Sequence, residues 1–117
     1  DYAHLPWTPS IVQTFKDTKG YDPTPYLASF FTASPTIQEQ RVKADYWDVW
    51  SSLFATHFFK LQADWCAANG VAHITHLNKE HEMPACVKAE GDYFRALSKV
   101  QIPGVDAIWN QIWTQYP

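Results

Sequence analysis

Between Val42 and Trp65, apolar and aromatic residues recur every three or four positions: Val42, Tyr46, Val49, Trp50, Leu53, Phe54, His57, Phe58, Leu61 and Trp65. This spacing predicts one long amphipathic helix. Thr36-Ile37-Gln38-Glu39 fits a capping box at its start, and Asn69-Gly70 marks its end. Trp47 and Phe59 fall on the flanks, so the apolar face is wide, and His57 reads as a core histidine on that face. Two shorter helices are predicted before it. Thr8-Pro9 reads as an N-cap with Pro at the first helical position, followed by Ile11, Val12 and Phe15 and a stop at Gly20. Asp22-Pro23 repeats the start signal, with Tyr26, Leu27, Phe30 and Phe31 as the apolar side until Ser34-Pro35 breaks it.

Beyond Gly70 the period changes. Val71–Thr75 reads as a buried strand, and residues 78–86 as a polar loop containing Met83-Pro84. A helix is predicted from about Val87 to Val100, with Tyr93, Phe94 and Leu97 facing inward. Ile102-Pro103-Gly104 reads as a turn, Val105–Ile108 as a second short strand carrying Asp106, and Trp109–Pro117 as an aromatic tail. Helix, glycine, strand, polar loop and helix come in the order of an α/β unit. The expected fold class is α/β and helix-dominated, with more than half of the residues helical and two or three short parallel strands. The 117 residues suffice for a single domain with one modest core.

The hydrophobic fraction of 46% with 18% charged residues argues for a folded chain rather than a disordered one. Aromatics reach 16%, with six Trp, six Tyr and seven Phe, and such side chains both fill cores and stack on sugar rings. A net charge of -3 and singly scattered Lys and Arg give no electrostatic footprint for nucleic acid or an anionic membrane. No window approaches the roughly 20 apolar residues of a bilayer span, and no secretion signal is visible. The chain opens on Asp1 rather than Met, as expected of a processed or excised piece. Cys66 and Cys86 are expected to be buried thiols rather than a disulfide.

Residues 71–82 hold three His and two Glu at the end of the first predicted strand. Open α/β architectures put reactive groups at strand ends, because the strand is rigid and the following loop reaches the cleft. Glu80 and Glu82 are candidate acid/base carboxylates, and Asp106, at the second predicted strand, is a more distant partner. A solvated polar loop is the plainer reading of the same residues. His73, His76 and His81 with these acids match neither a helical zinc motif nor a structural zinc spacing, so no metal ligands are assigned. Cys66 reads as core rather than nucleophile. Trp47, Trp50 and Trp65 have helical spacing and read as packing residues. Trp7 and Trp109 stand beside turns or strand ends and are candidates for stacking on a sugar face. The chain has no glycine-rich phosphate loop.

Several phrases in order suggest a family. They are Pro6-Trp7-Thr8, Gly20-Tyr21-Asp22 with Pro25-Tyr26-Leu27, Arg41 with Asp45-Tyr46-Trp47, and Asp64-Trp65-Cys66 with Asn69-Gly70. Thr75-His76-Leu77 with Glu80, Gly91-Asp92, and Ile102-Pro103-Gly104-Val105-Asp106 complete the series. Together they resemble the catalytic region of bacterial glycoside hydrolases of the α-L-rhamnosidase type, glycoside hydrolase family 106, over nearly the whole chain.

The resemblance implies a (β/α)-barrel enzyme that cleaves terminal deoxy-sugars from plant-type polysaccharides, with carboxylates as acid and base, a calcium ion nearby, and a periplasmic or secreted location. It makes Glu80 the candidate catalytic carboxylate and His76 a sugar-binding or orienting residue. This chain differs from the family in having Thr75 where a Gly usually precedes the His, and His81 between the two acids. A closed eight-stranded barrel takes about 250 residues, so the chain is expected to be a partial barrel segment, and the family's other acid lies upstream of residue 1.

Three functions compete: a glycoside hydrolase segment using Glu80 with Asp106 or Glu82, a non-catalytic carbohydrate-binding module, and a fragment that folds by association. Short parallel strands with open edges and a broad aromatic face lead to the expectation of a homo-oligomer.

Overall fold

The computed structural model describes residues 5–106, and 61% of these are helical. The chain divides into two compact units, Asp1–Trp50 and Ser51–Pro117.

In the first unit, α1 spans Ile11–Lys19. It begins two residues after the predicted Pro9. The Ile11 N–H donates to the Thr8 carbonyl at 3.0 Å, and Ser10 precedes the helix without a side-chain capping bond. Thr8-Pro9 therefore forms the turn that leads into α1 rather than its first residues. Gly20 ends the helix at φ +80°, with its N–H on the Lys16 carbonyl at 2.9 Å.

The second predicted helix is a 3-10 helix, Thr24–Phe31, entered where Asp22 Oδ1 accepts the Thr24 N–H at 2.9 Å. With about three residues per turn, it does not present the stripe an α-helix would. Phe31 is 72% exposed and Ser29 is buried instead.

Helix α2, Ile37–Phe54, starts with the expected capping box. Glu39 Oε2 accepts the Thr36 N–H at 2.6 Å, and Thr36 Oγ1 accepts the Glu39 N–H at 3.3 Å. Val42, Tyr46 and Val49 bury with Ile11 and Phe15, as the spacing required. Phe30 meets Tyr46 edge-on at 5.0 Å, as Phe15 meets Tyr21. The Tyr46 hydroxyl donates to the Pro6 carbonyl at 2.6 Å, which satisfies a polar atom that would otherwise be costly to bury.

The second unit corrects the long-helix expectation. Residues Ala55–Lys60 form a wide π-type turn, followed by α3, Leu61–Ala68. Ala55, Phe59 and Ala63 are buried, and they are spaced four residues apart. Such a row drifts round an α-helix of about 3.6 residues per turn, and a turn with bonds reaching five residues back takes up the drift. Phe59, expected on a flank, is therefore core. His57 is exposed rather than a core histidine. Phe58, Leu61 and Trp65 are 47%, 65% and 64% exposed, so Trp65 is not a packing residue here.

The predicted helix 87–100 is two helices, α4 (Met83–Glu90) and α5 (Tyr93–Leu97). Gly91 separates them at φ +86°, and a Cβ there would stand 3.1 Å from the Ser51 Cα. Phe59, Leu77, Cys86, Ala96 and Leu97 form the core, with Phe54, Tyr93 and Val100 packed against it. Phe94, expected inward, is 72% exposed.

The strands are shorter than expected. β1 is Ile74–Thr75 and β2 is Ile102–Pro103, paired in parallel with Ile74 opposite Ile102. β1 is not buried, since Ile74 is 65% exposed and Val71 55%. β2 occupies the predicted turn, while Val105 and Asp106 follow it as irregular chain and the rest of that predicted strand lies outside the described residues. Proline fits β2 because the donors facing β1 are its neighbours. Ile102 N–H reaches the His73 carbonyl at 3.1 Å and Gly104 N–H the Thr75 carbonyl at 2.7 Å. With α4 and α5 between them, β1 and β2 make one β-α-β crossover. Both cysteines are free, Cys86 buried and Cys66 partly so.

Candidate functional site

The carboxyl ends of β1 and β2 bring together Glu80, His76 and Asp106. His76 directly follows β1, and Asp106 lies three residues beyond β2. Glu80 reaches from the loop after β1 to the chain after β2, where its Oε1 accepts the Asp106 N–H at 2.5 Å. Its other oxygen, Oε2, accepts the Leu77 N–H at 3.3 Å. One carboxylate thus closes its own loop and ties that loop to the far strand. His76 Nδ1 lies 4.0 Å from Asp106 Oδ2, with the two side chains 52% and 27% exposed.

The approach of the strands at this end is tight. A Cβ on Gly104 would come within 3.0 Å of the Thr75 carbonyl oxygen and 3.8 Å of His76 Cβ, so only glycine allows β2 to close here without a shift. Gln101 holds the other end. Its Oε1 accepts the His73 N–H at 2.9 Å and its Nε2 donates to the Ala63 carbonyl at 3.0 Å. His73 Nδ1 is buried without a hydrogen-bond partner.

Glu82 is exposed at the start of α4, and its side chain makes no capping bond. Trp7 is 55% exposed and belongs to the first unit. Trp109 lies outside the described residues. Two acids that the sequence reading passed over also hold the site's frame. Glu90 Oε2 accepts the Asn78 N–H at 2.9 Å, and Asp92 Oδ1 caps α5 by accepting the Arg95 N–H at 2.7 Å. The Gly91-Asp92 pair was a visible signal for the cap, whereas nothing near Glu90 in the sequence points to Asn78.

These charges shape the chemistry beside them. Burial, and then the Glu90, Glu80 and Asp92 charges, push the Cys86 thiol up, so it stays protonated and is no nucleophile. Burial, followed by Glu80 and Cys86, raises the Tyr93 hydroxyl as well. The donors do not fit a calcium ion, which takes six or more oxygens. Both Glu80 oxygens hold backbone N–H groups, and no three His, Cys, Asp or Glu side chains converge among the described residues. Among those residues no helix is long and apolar enough to cross a membrane.

No family model, curated protein or solved structure matches this chain.

Proposed function

We propose that the chain is a (β/α)-barrel segment of a glycoside hydrolase that cleaves glycosidic bonds in plant-type oligo- or polysaccharides by carboxylate chemistry. The observation that carries this reading is the meeting of Glu80, His76 and Asp106 at the carboxyl ends of two parallel strands, where α/β folds bind ligands. Glycoside hydrolysis needs a carboxyl group to protonate the leaving oxygen and another to activate water or attack the sugar. Asp106, partly exposed beside His76, is the carboxylate offered to a sugar, and His76 is the group that orients it. Glu80, with both oxygens on backbone N–H groups, sets the distance between the two strand ends. Glu82 is the exposed carboxylate of the same loop.

Hydrolysis of aryl glycosides, α-L-rhamnoside among them, tests the reading. Purified wild type is expected to hydrolyse at least one, and Asp106→Asn to lose that activity while keeping its circular dichroism. Glu80→Gln is a poorer probe, because an amide would face a backbone N–H with its own donors and loosen the loop. Inactive wild type would sink the enzymatic reading, and saccharide binding without turnover would favour a carbohydrate-binding module.

A second reading, association of copies, draws on the exposed Val71, Ile74, Ile102 and Val105 on and around the two-stranded sheet. Sedimentation of the wild type decides it, and a sharp monomer would rule it out.

A further inference from the structure

Ser52, Ala55, Thr56, Arg95 and Lys99 line an open groove of about 360 Å³ in the second unit. Ser52, at the end of α2, and Thr56, in the wide turn, are four residues apart, and so are Arg95 in α5 and Lys99 just after it. Each pair therefore stands one turn apart on its own wall. Ala55, 1% exposed, lies between the hydroxyls.

Arg95 is held from two directions. Its guanidinium Nη1 donates to Ser52 Oγ at 2.7 Å, and its backbone N–H is fixed by Asp92 Oδ1 at 2.7 Å. Asp92 is itself anchored, since its N–H donates to Ser51 Oγ at 3.0 Å. With its oxygen accepting from Arg95, Ser52 keeps its own O–H proton to donate. The lining thus presents a planar guanidinium, an ammonium and two hydroxyls, and no carboxylate, in a chain whose net charge is -3. One wall includes a π-type turn, a distortion that recurs at functional sites.

We propose that this groove binds a tetrahedral oxyanion, a phosphate or a sulfate, either free or as the ester of a small molecule. The guanidinium fork matches two oxygens of such a group, and Lys99 and Thr56 reach the others. The proposal is independent of the glycosidase reading.

Nuclear magnetic resonance titration of the full chain with sodium phosphate, and separately with sodium sulfate, tests it against sodium chloride at matched ionic strength. Saturable shifts confined to amides near residues 52–56 and 95–99 are expected. Removing a charge-assisted hydrogen bond should weaken binding about tenfold or more in Lys99→Gln. Lys99 is exposed, so this variant should unfold at the wild-type temperature. Arg95→Lys keeps the charge but loses the fork, and should weaken binding as well. Tighter phosphate than sulfate assigns the site to phosphate esters, the reverse to sulfate esters, and equal affinity to any tetrahedral dianion. Shifts that chloride reproduces, or an affinity unchanged in Lys99→Gln, would overturn the proposal.

Discussion

In the first unit the long-range fastenings join side chain to side chain. Lys19 reaches Asp45 at 3.2 Å and Asp48 at 2.6 Å, and the Tyr21 hydroxyl donates to Asp45 at 2.7 Å. In the second unit they join side chain to backbone. Glu80 takes the Asp106 N–H, Glu90 the Asn78 N–H, Ser51 the Asp92 N–H and Gln101 the His73 N–H. The Arg95–Ser52 bond is an exception. The difference follows from how much of each backbone is regular. The helices of the first unit satisfy their own interior N–H groups, which leaves acids and bases to staple one helix to another. The loops of the second unit have no ladder, so side chains must supply acceptors. A carboxylate used in this way is a structural acceptor first, and the question for function is which acids escape that duty.

The largest break in this comparison should come from the second unit's core. Phe59 is 2% exposed, and Phe59→Ala should cost about 3–5 kcal/mol in denaturant unfolding. Amide exchange should quicken across residues 51–106 before it does in α1. Equal loss in both units would mean that they unfold as one, and the comparison would then describe local bonding only.

Gly91 comes next. Its φ of +86° with ψ of -167° is a conformation nearly restricted to glycine, and the Ser51 backbone leaves no room for a Cβ. Gly91→Ala should cost about 1–3 kcal/mol and release the Asp92–Ser51 bond. Wild-type stability in this variant would show that the α4–α5 break does not depend on glycine.

The smallest effects, set by pH, sharpen the contrast by testing the first unit. Burial and, secondarily, the Asp45 bond push the Tyr21 hydroxyl up to about 12, and burial pushes Tyr46 to about 12. The fold therefore favours the neutral phenols. Their contribution is whole below the ordinary value of 10.0 and is lost as pH rises through about 12. Asp22 runs the other way. Its bonds to Lys16 and Thr24 hold it at about 2, so its contribution is present above 3.8 and fades as pH falls through about 2. Unfolding followed against pH should show the alkaline loss, and Tyr21→Phe should flatten part of it. An unchanged alkaline limb in Tyr21→Phe would remove Tyr21 from this account.

Much of the first unit was legible because its signals are local. Thr36 and Glu39 cap each other across three residues, Gly20 ends α1, and Val42, Tyr46 and Val49 bury on the expected face. The second unit was less legible. Phe58 and Phe59 are equally apolar, so a pattern cannot tell which of them a wide turn brings inward. Ile102-Pro103 carries turn chemistry, yet it pairs as a strand because the proline nitrogen faces away from β1. In the candidate site, residue types at strand ends suggested Glu80, His76 and Asp106. That Glu80 would hold the Asp106 backbone rather than stand opposite its carboxylate could not be read from spacing.

The sequence alone determined the helix-dominated character, the capping of α2, the stop at Gly20 and the order of an α/β unit, since each depends on residues within a turn or two of one another. Tertiary structure decided where Phe59 and Trp65 point, why Gly91 and Gly104 must be glycine, and which acids serve the backbone. Each of these depends on a group brought from elsewhere in the chain, and its free energy exists only once both partners have arrived.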